Sequence, residues 1–236
     1  MSEPRVALVA GASRSIGRRI VERYLSSGET FRVAGCSRTP SDISNPGYKH
    51  FIADIADENS VKLMFADIHR EYGRLDILIN CAGLQSIGGA LLTSDDTLRK
   101  ILDVNVRGAF LLCREASKLM KINRYGRIVN FSSAAVPLCS AGSAVYGASK
   151  AAVEQFTKVL AKEIYGYGIT ANVLRLSIVA ESGMAANISP AATEETLKKT
   201  VTGKLINFTD ICEAVDFMIS EKSGQLTAQT IGLGGI

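Results

Sequence analysis

The sequence predicts an α/β fold, a doubly wound parallel sheet of about seven strands with helices on both faces. Three observations predict it. Short apolar runs recur at residues 5–10, 31–36, 48–53, 75–80, 126–131, 170–176 and 228–232, with longer helical patterns between them, and this alternation builds βαβ units. The first run, Arg5 to Ala10, breaks into Gly11-Ala12-Ser13-Arg14-Ser15-Ile16-Gly17 before an amphipathic stretch from Arg18 to Ser27. Small and polar residues also coincide with predicted strand ends: Gly11, Ser37, Asp54, Asn80 to Gly83, and Ser132 to Ser133. Binding loops of an open parallel sheet lie at the C-terminal ends of its strands, whereas unrelated polar residues would scatter.

The 236 residues, 47% of them apolar, suffice for a single domain, taken as residues 1–236. Proline is sparse, and no low-complexity run or solenoid-period repeat divides the chain. The N-terminus lacks a signal-peptide pattern, and no apolar run approaches the ~20 residues of a membrane helix. A cytoplasmic protein with no membrane partner is expected. The five cysteines, at positions 36, 81, 113, 139 and 212, contain no CxxC, which argues against a disulfide framework and against zinc. His50 and His69 have no partners in metal-ligand spacing, so no metal is expected. Net charge is +4, and basic residues alternate with acids, as in Lys158, Lys162 and Glu163, rather than forming a stripe. Nucleic acid is therefore not an expected partner.

In the first unit, Gly11 lets the chain turn without a Cβ and Gly17 lets the helix lie close to the strand. Amides at the start of the helix suit a pyrophosphate; in the alternative the glycines merely turn the chain and Ser13 or Ser15 caps the helix. Cys36-Ser37-Arg38 ends the second strand with no acid to accept a ribose 2′-hydroxyl. A neutral residue followed by arginine suits a 2′-phosphate, which favours NADP over NAD, with Arg14 as a second phosphate partner. Asp54 closes the third strand, placed to hold an adenine amino group or to cap a helix. Asn80-Cys81-Ala82-Gly83 ends the fourth with small residues that let the backbone pass under a flat ring or ribose.

Beyond the fifth strand, Tyr146 and Lys150 stand four residues apart, on one face of a helix. An ammonium beside a phenol favours the phenolate, and in a desolvated cleft such a pair moves a proton. A surface tyrosine and lysine on an amphipathic helix would show the same spacing.

These motifs resemble the short-chain dehydrogenase/reductase family, most closely its 3-oxoacyl-[acyl-carrier-protein] reductases. Gly11 to Gly17 resembles the family's TGxxxGIG turn, Asn80-Cys81-Ala82-Gly83 its NNAG, and Asn105 its helix asparagine. Ser133 with Tyr146 and Lys150 reproduces the SYK set, with thirteen residues from serine to tyrosine. The resemblance implies a Rossmann domain binding NADPH, with NAD as the lesser alternative. It implies cofactor contacts from Gly11, Ser13, Arg14, Ser15, Ile16 and Gly17, then Ser37 and Arg38, then Asp54 and Ile55, then Asn80, Ala82 and Gly83. Tyr146, Lys150, Val179 and Ser182 would complete the nicotinamide side. Catalysis would fall to Asn105, Ser133, Tyr146 and Lys150: Tyr146 gives the proton, Ser133 bonds the carbonyl oxygen, Lys150 lowers the tyrosine pKa and holds ribose hydroxyls, and Asn105 holds a relay water. Departures are Ala10 for threonine, Ser15 for the middle glycine, Cys81 for the second asparagine, and Leu176-Ser177 for Pro-Gly.

The segment 183–204, with Met184, Ile188, Pro190 and Leu197, reads as a substrate lid. Its apolar content suits an acyl or alicyclic ligand. The resemblance implies reduction of a 3-oxoacyl thioester, presented on acyl carrier protein, with a small cyclic or natural-product ketone as alternative and a catalytically silent dinucleotide binder as a reading of another class. Arg124 matches one carrier-contact arginine of the family, and Tyr167 replaces the other. The family's habit implies a homotetramer, paired through helices near 97–122 and 144–166 and through the last sheet edges. Ala148, Ala151, Ala152, Phe156, Val159 and Leu160 would supply the helix surface, and Thr230 to Ile236 the edge.

Overall fold

The computed structural model describes residues 4–26, 31–180, 183 and 188–236. Its strands are β1 Arg5–Ala10, β2 Phe31–Ser37, β3 Tyr48–Ile52, β4 Ile77–Asn80, β5 Gly126–Ser133, β6 Ile169–Leu176 and β7 Thr230–Leu233. They form one seven-stranded sheet in the order β3-β2-β1-β4-β5-β6-β7, with every pairing parallel. The chain starts in the middle, winds outward to β3, and returns to β4 beside β1. That reversal opens a crevice at the C-terminal ends of β1 and β4.

The strands read as continuous apolar runs because both faces are covered. Val6, Leu8 and Ala10 point into a core shared with helices α2 (Glu58–Tyr72), α4 (Gly108–Asn123) and α6 (Ala144–Ile164). Ala7 and Val9 point the other way, against α1 (Ser15–Ser26) and α8 (Phe208–Ile219). Strand ends shift slightly from expectation. Asp76 precedes β4 because its carboxylate accepts from Val6 N at 2.8 Å and pairs with Arg74. β5 runs on to Ser133, which pairs with Leu176 of β6.

The helix expected near 97–122 is broken. α3 (Asp95–Leu102) passes into a π turn, Asp103–Arg107, before α4 begins. α4 starts on Gly108, where a Cβ would lie 2.9 Å from the Ile55 side chain, so the helix can press against the residues after β3. A one-turn helix, α5 (Ala135–Leu138), follows β5, and α7 (Pro190–Lys198) follows β6. Among the described residues no helix is long and apolar enough to cross a membrane.

Candidate active site

Ser133 ends β5, and the first turns of α6 bring Tyr146 and Lys150 to face it. All three wall one pocket. Tyr146 is 7% exposed and Lys150 6%, which excludes the surface-pair reading. Lys150 Nζ donates to the Phe131 carbonyl at 3.0 Å and stands 6.0 Å from the Tyr146 ring centre. Ser132, the neighbouring hydroxyl, points away and donates to Glu154 Oε1 at 2.7 Å. Ser133 is the serine that faces the tyrosine.

The electrostatics correct one expectation. Burial pushes the Tyr146 phenol up, and a hydrogen bond with the Ser133 side chain only partly opposes it. No pull from the Lys150 ammonium offsets that burial, and burial pushes Lys150 itself down to about 8, with Cys81 pulling the other way. Desolvation outweighs attraction when both partners of a pair are buried.

Asn105 lies in the π turn and is 2% exposed. Its Nδ2 donates to Leu84 O at 2.8 Å and Ser149 Oγ at 2.9 Å, and its Oδ1 accepts from Leu84 N at 2.7 Å. Both amide donors are taken by the protein. The side chain therefore clamps the loop after β4 to α6. Ser149 closes the clamp by donating to Tyr146 O at 2.7 Å. Motif matching passes over Ser149, and it passes over Glu154, which binds Ser132 and Arg175 behind the site. Both stand on the buried stripe of α6 with Tyr146 and Lys150, and a polar residue on such a stripe signals a partner.

The adjoining cleft, about 310 Å³, is walled by Gly11, the 13–17 turn, Ser37 and Arg38, Asp54 and Ile55, and Ala82 and Gly83. The glycines are needed there. Gly11 has φ 79, and a Cβ on it would sit 3.0 Å from Ala82 N; one on Gly17 would sit 2.3 Å from Gly11 O. Ser15 takes φ 51, so the position where the family has glycine does require the left-handed region, and serine bears the strain. Asp57, not Asp54, caps α2. Asp54 Oδ1 accepts from Ala56 N at 2.9 Å. Arg14 and Arg38 are exposed, and their side chains make no hydrogen bond or ion pair among the described residues.

Asn80 is 4% exposed and donates to Asn130 Oδ1 at 3.0 Å. It is a core residue beneath the cleft rather than a wall of it, because the last residue of a central strand can turn inward. Ser182 lies outside the described residues, as does Met184 of the expected lid. Val179 does wall the pocket with Tyr146, and Ile188, Ala192 and Thr196 cover it from the side of α7.

Arg124 does not rim this pocket. It ends α4 in the left-handed region, φ 51, and donates to Gly166 O at 3.0 Å. It thus precedes β5 at the end of the sheet opposite Ser133, with Tyr167 beside it under Lys121. Leu160, expected on the outer surface of α6, packs into the core, while Ala148, Ala151 and Val159 stay exposed.

Buried Tyr146 and Lys150 with Ser133, beside a glycine-turn cleft at the switch point of a parallel sheet, mark an α/β protein of the nucleotide-binding class. The chain belongs to the short chain dehydrogenase family, whose profile matches residues 5–193. It is 30% identical over 237 residues to the 3-oxoacyl-[acyl-carrier-protein] reductase of Salmonella typhimurium, covering 99% of this chain and 97% of that protein. It is 34% identical to a short-chain type dehydrogenase/reductase of Picea abies, covering 98% of this chain and 91% of the other. A short chain dehydrogenase from Leptospira borgpetersenii, solved with bound NAD+, superposes with TM-score 0.88 at 27% identity, covering 99% of this chain and 92% of that one. ElxO with NADP bound shares the fold at TM-score 0.88 and 23% identity, over 98% of this chain and 97% of its own.

Proposed function

We propose that the chain is an NADPH-dependent reductase of a ketone, a 3-oxoacyl thioester first among substrates. The carrying observation is that the Ser133, Tyr146 and Lys150 pocket shares Ser15, Ile16 and Cys81 with the glycine-turn cleft, so a dinucleotide in one places its reactive ring in the other. The cleft fits such a group: close backbone passage at Gly11 and Gly17, amides of the turn for the pyrophosphate, and Arg38 with Arg14 where a 2′-phosphate would fall. When bound, the cofactor supplies a hydride to the ketone carbon.

The chain's own residues do the rest. Ser133 and Tyr146 hydroxyls point at the carbonyl oxygen and stabilise the charge that develops there. Tyr146 Oη, a phenol that holds its proton at neutral pH, gives it to that oxygen as the strongly basic alkoxide develops. Lys150 Nζ stands beside the phenol as the group to restore its proton. The pocket carries aliphatic side chains such as Leu138, Leu176 and Ile178 among its serines, which gives an acyl chain apolar surface to lie against.

A second reading, reduction of a small cyclic ketone with no carrier protein, is favoured by the placement of Arg124 away from the pocket. We further propose a cytoplasmic homotetramer. A groove on the outer faces of α3, the π turn, α4 and α6 is lined by Leu102, Val106, Phe110, Val153 and Phe156, and β7 is an open sheet edge. NADPH oxidation with acetoacetyl thioesters of coenzyme A and of acyl carrier protein, against cyclohexanone derivatives, tests the substrate. Turnover of the cyclic ketones alone would replace the thioester reading with the second.

A further inference from the structure

The 2′-phosphate end of the cleft is held from outside by a residue that is not in it. Arg38 is flanked by Ser37 and Thr39, and all three wall the cleft. His50 of β3 reaches both flanking residues: its Nε2 lies 2.9 Å from Thr39 O and 3.0 Å from Ser37 Oγ. Its Nδ1 lies 2.6 Å from the hydroxyl of Tyr48. The Thr39 carbonyl can only accept, so Nε2 carries the proton, and Nδ1 accepts from Tyr48. Ser37 Oγ donates to the same Thr39 carbonyl at 2.6 Å.

Tyr48 stands behind the imidazole, its phenol holding Nδ1, while Ser41 Oγ accepts from Ile43 N at 3.3 Å farther along the loop. The packing beneath it is specific: a Cβ on Gly35 would lie 2.2 Å from the Tyr48 hydroxyl, so the ring lies over a bare stretch of β2. Residues 37–39 are thus fastened through Ser37 and Thr39, with the Arg38 side chain between the fastenings and making no bond of its own among the described residues. An exposed arginine on a slack loop would lose rotamer and backbone freedom on meeting a phosphate. A fastened loop has already lost the backbone share.

We infer that His50, with Tyr48 behind it, is a positioning residue for recognition of a ribose 2′-phosphate, presenting Arg38 to that group and thereby setting the preference between phosphorylated and unphosphorylated dinucleotides. The inference rests on the reading of the cleft as an NADPH site.

The test is equilibrium binding rather than turnover. NADPH and NADH are titrated by fluorescence, and adenosine 2′,5′-bisphosphate and AMP by calorimetry, into the parent, His50→Leu, His50→Gln and Arg38→Ala. His50→Leu is expected to weaken NADPH and the bisphosphate about tenfold, with NADH and AMP changed less than about twofold. His50→Gln, whose amide can still donate to Thr39 O, is expected to recover most of the loss. An equal loss for both members of each pair would make His50 a merely structural residue and overturn the proposal. So would a preference lost in Arg38→Ala but intact in His50→Leu. A parent that binds NADPH no better than NADH would instead overturn the cofactor reading on which the proposal rests.

Discussion

Lys150 is an ammonium held 6% exposed at the centre of the site, and its placement opposes folding as much as it serves chemistry. Burial brings its pKa down to about 8 from the ordinary 10.5. Below about pH 8 the amine is protonated in folded and unfolded chains alike, and the full desolvation cost is present. Between about 8 and 10.5 the unfolded chain holds more protons than the folded one, so this group's contribution to stability rises with pH. Lys150→Met is expected to abolish that rise, to increase the melting temperature of the cofactor-free protein near neutral pH, and to remove turnover. Calorimetry showing a lower melting temperature for the variant would contradict this account of the buried charge. Ser15 stores strain of a different kind. With φ 51 it occupies a region that glycine enters without a Cβ penalty, and Ser15→Gly is expected to stabilise by about 0.5–1 kcal/mol in a denaturant titration. A decreased midpoint would show that the serine side chain compensates.

At the scale of elements, α7 is the helix of the expected lid. Its N-cap Ser189 accepts from Ala192 N at 3.2 Å, and Pro190 begins the helix, which suits a short helix with no buried residue of its own. Ala192 faces the pocket, so Ala192→Phe is expected to raise KM for long 3-oxoacyl thioesters several-fold more than for short ones. Equal KM changes for both chain lengths would mean that α7 does not border the acyl path. The seven strands were legible in the sequence because a doubly covered parallel sheet needs unbroken apolar runs, and the cleft was legible because its glycines stand where backbones touch. Asn80 misled because a polar residue at a strand end looks the same whether it turns to a ligand or, as here, to Asn130. The π turn left no mark in the periodicity. The Tyr146 pKa was out of reach for another reason: spacing shows that a lysine is near, but desolvation comes from the many residues of other elements that close over both groups.

For the whole molecule, the outer faces of α4 and α6 carry Phe110 and Val159 at 43% and 44% exposure, with Phe156 edge-on to Phe110 at 5.7 Å. A partner copy covering this face would brace the helix that carries Tyr146 and Lys150. Phe156→Glu is expected to yield smaller species in light scattering, together with lower turnover. A parent that is a fully active monomer at micromolar concentration would contradict the proposed assembly. The central claim is that Tyr146 gives the proton in reduction of a ketone, and the most direct measurement compares Tyr146→Phe with the parent. NADPH consumption is followed with a 3-oxoacyl thioester and a cyclic ketone at saturating cofactor, alongside NADPH affinity and melting temperature. The account predicts that turnover falls by at least about a hundredfold while affinity and melting temperature stay close to the parent's; turnover within about threefold of the parent's, with the cofactor bound, would contradict it.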